Sequence, residues 1–133
     1  MRLNDIEESL PNGFHDSKIN AIYRNLKTET VKLYLDILVG LPDDEPARQR
    51  GYRQGILTFE GVKIFISEEP SVESKFSDAG SLNFVISEGE VESVSQGIMK
   101  MINQECHIYT LFVQEWFSNL IVVADKIEFS WAD

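Results

Sequence analysis

Apolar and polar positions alternate with period two along most of this chain. The clearest run covers residues 30–40, where Val31, Leu33, Leu35, Ile37 and Val39 alternate with Lys32, Tyr34, Asp36 and Leu38. That is the spacing of a strand with one buried face. The preceding segment, 17–26, places Ile19, Ala21 and Tyr23 on one face and Ile22, Arg24 and Leu26 on the other. It predicts a partner strand covered in part on both sides, joined to the first as a hairpin through Lys27-Thr28-Glu29. Residues 52–67 read as β again, with Ile56, Leu57 and Phe59 before Gly61 and Val62, Ile64 and Ile66 after it. Glu60-Gly61 is a short connection, so Gly61 predicts a bulge or sharp bend rather than a hairpin turn. Leu82, Phe84 and Ile86 alternate with Asn83, Val85 and Ser87; Glu88-Gly89-Glu90 then reads as a turn, and Val91 to Ser95 as the returning segment. Residues 106–117 form a further strand, Ser118-Asn119 a turn, and 120–131 the last strand, where Asp125 interrupts the apolar side.

Helical spacing is confined to short stretches. Leu3, Ile6 and Leu10 share one helical face, Asn4 is placed as an N-cap, and Glu7 stands in the capping-box position. Asp5, Glu7 and Glu8 complement the N-terminal dipole, and Pro11 ends the helix. Val72 and Phe76 allow one helical turn in the polar stretch 68–81, whereas Ile98, Met99, Met101 and Ile102 leave 98–105 open between helix and strand. Two prolines and a switch from acidic to basic make 41–51 a loop. The fold class expected is mainly β: an antiparallel meander forming a partly open barrel or sandwich, with a short N-terminal helix and room for one more. The 133 residues fit a single domain with its own core.

Charge changes this picture. The net charge is −10, and residues 76–133 alone carry two basic and nine acidic side chains. Such a surface repels phosphate backbones, which argues against nucleic-acid binding, and attracts a basic protein partner. No apolar run approaches the roughly 18 residues of a membrane helix, so no membrane association is expected. One cysteine, Cys106, permits no intrachain disulfide and favours a reducing compartment. With no apolar leader after Arg2, the expectation is a cytoplasmic protein.

Candidate chemistry concentrates in Leu10-Pro11-Asn12-Gly13-Phe14-His15-Asp16-Ser17. Pro-Asn-Gly is a turn signal, and Phe14 would anchor the chain in the core. His15 and Asp16 can act together in acid–base chemistry or supply two metal ligands; as a purely local feature, Asp16 caps the turn and His15 packs beside it. Cys106 and His107 point to opposite faces of a strand, so no metal site is expected. Phosphate-binding loops and hydrolase signatures are absent, and no cofactor is implied. Asp43, Asp44 and Glu45 lack calcium-loop spacing; Arg48, Arg50 and Arg53, a basic cluster able to hold an anion or an acidic partner, read first as a solvated loop edge. Glu68/Glu69 and Glu88/Glu90 are acidic pairs in expected loops. Trp116 and Trp131 end their strands; they suit core or rim packing, or, if exposed, a protein interface.

The Gly13-Phe14-His15-Asp16-Ser17 opening, the alternating hairpin and the Leu57-Thr58-Phe59-Glu60-Gly61-Val62 segment together resemble a group of small bacterial β-rich domains of unknown function. Some of these look like immunity proteins, which neutralise a partner toxin. The resemblance covers the first half of the chain. It implies a non-enzymatic, cytoplasmic binding protein and assigns no catalytic role to His15 or Asp16.

Three readings follow. The first is a non-catalytic protein-interaction domain that binds a basic partner through an acidic surface, with His15, Asp16, Trp116 and Trp131 as candidate binding residues. The second is a small-molecule or metal-binding β-barrel, enzymatic or not, with His15 and Asp16 at its mouth. The third is a homodimer paired through exposed strand edges.

Overall fold

The computed structural model describes residues 2–40, 51–68, 82–89 and 106–132. The expected loop over 41–50, the helical turn at Val72–Phe76, the return over 91–95 and the open segment 98–105 lie outside these residues, as do Arg48 and Arg50.

One helix, α1 (Leu3–Ser9), opens the described chain, followed by β1 (Pro11–Phe14), β2 (Lys18–Asn25), β3 (Thr30–Leu38), β4 (Tyr52–Glu60), β5 (Ile64–Ser67), β6 (Leu82–Gly89), β7 (His107–Val113), β8 (Ser118–Ala124) and β9 (Lys126–Trp131). The helix starts earlier than expected. Its N-cap is Arg2, whose N–H donates to the Asp5 carboxylate at 2.9 Å, so Asp5 and not Glu7 closes the first turn. Leu3 and Ile6 are its buried face.

Strands β2–β9 form one antiparallel eight-stranded sheet in the order β5-β8-β7-β6-β2-β3-β4-β9, which does not close. The β2–β3 hairpin is in place, with Lys18 opposite Asp36 and Asn25 opposite Thr30. A bulge at Asn20 shifts its register, and β2 pairs with β6 only through Lys18 and Ile19. Beyond Ile19, β2 is mostly exposed rather than covered on both faces.

Gly61 sits at the bend expected there. Glu60 faces Lys126 and Ile64 faces Val123, so residues 61–63 of one arm stand against only 124–125 of the other. The β4–β5 and β8–β9 arms therefore run as one antiparallel ladder with a bulge at its corner. Asp125 N–H donates to the Glu60 and Gly61 carbonyls at 3.0 and 3.3 Å, and Lys63 N–H to the Val123 carbonyl at 2.8 Å. Gly61 has φ +64, and a Cβ there would fall on the Asp125 carboxylate; only glycine fits both constraints. Asp125 also divides the expected last strand. Leu120, Val122 and Ala124 face the main core before it, and Ile127 does after it, so one extra residue reverses the alternation.

The corner curls the sheet around its main apolar interior. Phe59 of β4 meets Tyr109 of β7 across it, with ring centroids 5.2 Å apart. Phe14 lies between Phe84 at 6.0 Å and Phe129 at 6.4 Å, under α1. A smaller cluster of Cys106, Ile108 and Val123 packs on the other face of β7 and β8. Two expected turns move. Glu88 and Gly89 continue β6, paired with Tyr109 and Ile108. The β7–β8 turn is Gln114–Phe117, closed by Phe117 N–H on the Gln114 carbonyl at 3.2 Å, and Ser118 and Asn119 already belong to β8.

Candidate functional site

The segment before β2 is wound by successive tight turns. Gly13, His15 and Ser17 N–H groups donate to the Leu10, Asn12 and Phe14 carbonyls at 3.1–3.3 Å. Asn12 does more than turn the chain: its amide donates to the Leu38 and Gly40 carbonyls at 3.0 and 2.8 Å, fastening β1 to the end of β3. With Phe14 buried, the next two side chains are thrown outward. His15 Nε2 and Asp16 Oδ2 are 3.5 Å apart, with the side chains 70% and 44% exposed. Asp16 has φ +56, a conformation aspartate tolerates better than most residues, and its carbonyl accepts from the Tyr52 hydroxyl at 3.2 Å. The next residue, Ser17, is fully buried, and its Oγ has no hydrogen-bond partner among the described residues.

These residues form one end of a cleft of about 290 Å³ whose other walls include Glu7, Phe84, Val85 and Gln114. Asn83, also on the wall, is fixed from behind by Glu115, which accepts from its backbone and side-chain N–H groups at 2.8 and 2.7 Å. A second cleft, of about 510 Å³, is lined by Arg2, Glu88 and His107 among others. The two clefts share Glu7 and Ile86. Adjoining there, they flank β6 beside α1 and together are called the groove.

At the far end, Glu88 Oε1 lies 3.0 Å from His107 Nδ1 and 4.0 Å from the Arg2 guanidinium. Tyr109 lies fully buried opposite Glu88 in the ladder. Burial first, and then the Glu88 charge, push its phenol up to about 12, with Arg2 acting in the opposite direction. Between the ends, burial holds the Glu7 carboxyl above the usual carboxylate range. Three carboxylates, Glu7, Asp16 and Glu88, thus face one guanidinium, Arg2, among the lining residues. The only two histidines of the chain both lie in the groove.

The other sequence candidates are placed elsewhere. Trp116, in the β7–β8 turn, and Trp131, at the end of β9, are half-buried against the main core, and neither lines the groove. Trp131 packs edge-on against Phe129 at 5.0 Å, with the Arg53 guanidinium 4.2 Å above its ring. The exposed aromatic of that turn is Phe117, 74% accessible. The Cys106 thiol donates to the Asp125 carboxylate at 3.3 Å. No group of three or more His, Cys, Asp or Glu side chains that could hold a metal ion occurs among the described residues. No helix among them is long and apolar enough to cross a membrane.

A His-Asp-Ser succession invites a nucleophile reading, but activation requires a hydrogen bond from nucleophile to base. Ser17 Oγ makes no such bond to His15. What the groove offers is a row of acceptors on an apolar floor. Compared with known proteins, the chain matches no family model, no curated protein and no solved structure.

Proposed function

We propose that this chain is a non-catalytic protein-interaction domain, immunity-like in the sense of neutralising a partner by stoichiometric binding, and that its partner is basic. The observation that carries this reading is the groove along β6, where three carboxylates stand against one guanidinium among the lining residues. Complementary charge steers association and disfavours acidic competitors. The unactivated Ser17 hydroxyl supports binding over catalysis.

The test is an amide-resolved NMR titration with a glycine-spaced lysine heptapeptide. Shifts should map to β6 between Ile86 and Gly89, and affinity should fall by about tenfold or more between low and moderate salt, as screening predicts. The Glu7→Lys, Glu88→Lys double variant should abolish those shifts. Binding that is salt-insensitive, or that maps away from β6, sinks the reading.

A further inference from the structure

We infer that the cleft beside the β1–β2 connection is a receptor for one arginine side chain of the basic partner, its guanidinium held among Ser17, Asp16 and Glu7. The inference rests on the groove reading above and sharpens it to one anchoring contact.

Three independent features point there. The first is Ser17. A buried hydroxyl with no partner is costly, and such groups are rare without a reason. Ser17 is among the lining residues of the cleft, and its Oγ, buried behind that surface, has no partner among the described residues. Lysine or arginine can only donate, so a cationic side chain complements it. The second is charge. Glu7 and Asp16 line the cleft, and among the residues described there no cation balances them apart from the exposed His15. The third is size and shape. At about 290 Å³ the cleft lies below the roughly 300–1,000 Å³ range of small-molecule sites, but it suits a single side chain. Its apolar walls, Phe14, Phe84 and Val85, match the aliphatic stem and the weakly hydrated face of a guanidinium better than a compact ammonium. Asn83 and Gln114 close the site with polar groups held in place: Asn83 by Glu115, and Gln114 by its N–H on the Asn83 carbonyl at 3.0 Å.

The experiment uses N-acetyl-arginine-methylamide as the probe, with N-acetyl-leucine-methylamide as control, in a ¹H–¹⁵N NMR titration of the full chain. The arginine probe should shift the amides of Ser17, Val85 and Gln114 with millimolar affinity, and the leucine control should not. Glu7→Gln should weaken the probe by about tenfold and Ser17→Ala by about threefold. Asp16→Asn, at an exposed position, should also weaken the arginine probe and gives a second reading if Glu7→Gln or Ser17→Ala fails to fold. If the arginine probe leaves these amides unmoved while the lysine heptapeptide still binds along β6, the arginine receptor is wrong and the groove reading survives. If neither binds, both fall. Equal shifts from the leucine control would make the cleft an apolar pocket and overturn the inference.

Discussion

The two ends of the groove each pair an imidazole with a carboxylate, yet they are built differently. His15 and Asp16 are chain neighbours, 3.5 Å apart, and both are open to solvent. His107 and Glu88 come from adjacent strands, approach to 3.0 Å, and the Glu88 side chain is only 19% exposed. Water screens the first pair and much less the second. Adjacency in sequence therefore marks the weaker coupling, because neighbours on a turn share a solvated surface. The stronger coupling is made by strand register. What fixes the His15–Asp16 end is Phe14, wedged between Phe84 and Phe129.

The largest test of that contrast removes the wedge. Phe14→Ala should cost about 3–4 kcal/mol in urea denaturation, whereas His15→Ala should stay within about 0.5 kcal/mol. Comparable losses would mean that the charged pair and not the ring holds this end. At the opposite end, Tyr109 supplies a pH signature. Its folded phenol titrates near 12, above its ordinary value of 10.0, so its contribution to stability is complete below pH 10 and is lost as pH rises toward 12. In Tyr109→Phe that part of the alkaline fall should vanish from denaturant midpoints measured across the window; an unchanged fall would place its cause elsewhere. The smallest effect is the direct one. Double-mutant cycles at mildly acidic pH should give a coupling of about 1 kcal/mol for Glu88 with His107 and about zero for His15 with Asp16. A reversed order would dissolve the distinction.

Much of the sheet is legible in the residues. The alternation through Val31–Ile37 gives β3 and its hairpin because one face is wholly buried, so each inward position must be apolar. Gly61 and Asp125 both stand out as interruptions, but only the register shows that they interrupt each other, across two arms of one ladder. The Gln114–Phe117 turn is hidden by its own composition. Trp116 and Phe117 favour strands, and Phe117 takes φ +51 without glycine's help. Glu88-Gly89 misleads in the opposite way, since a turn-like pair continues β6. Of the groove, His15 and Asp16 are visible as a motif, whereas Glu7 reads as a helix-end charge and Glu88 as one of a loop pair. Nothing local links residue 7 to residue 88; the cleft they both line belongs to the fold. Ser17 is invisible for a similar reason, because burial without a partner leaves no mark on sequence.

The corner at Gly61 and Asp125 also sets a schedule. Among the described residues, 64–67 pair only with 120–123, and 55–60, flanked early by β3, gain their second partner from 126–131, so the strands that complete the corner are made long after those they complete. Folds dominated by such distant pairings are slow, in the range of milliseconds to seconds. During synthesis, Ile64, Phe65 and Ile66 leave the ribosome with no strand to join, an interval in which an apolar segment is open to association with other chains. The bulge that lets the sheet curl thus joins strands whose assembly waits on residues 118–131.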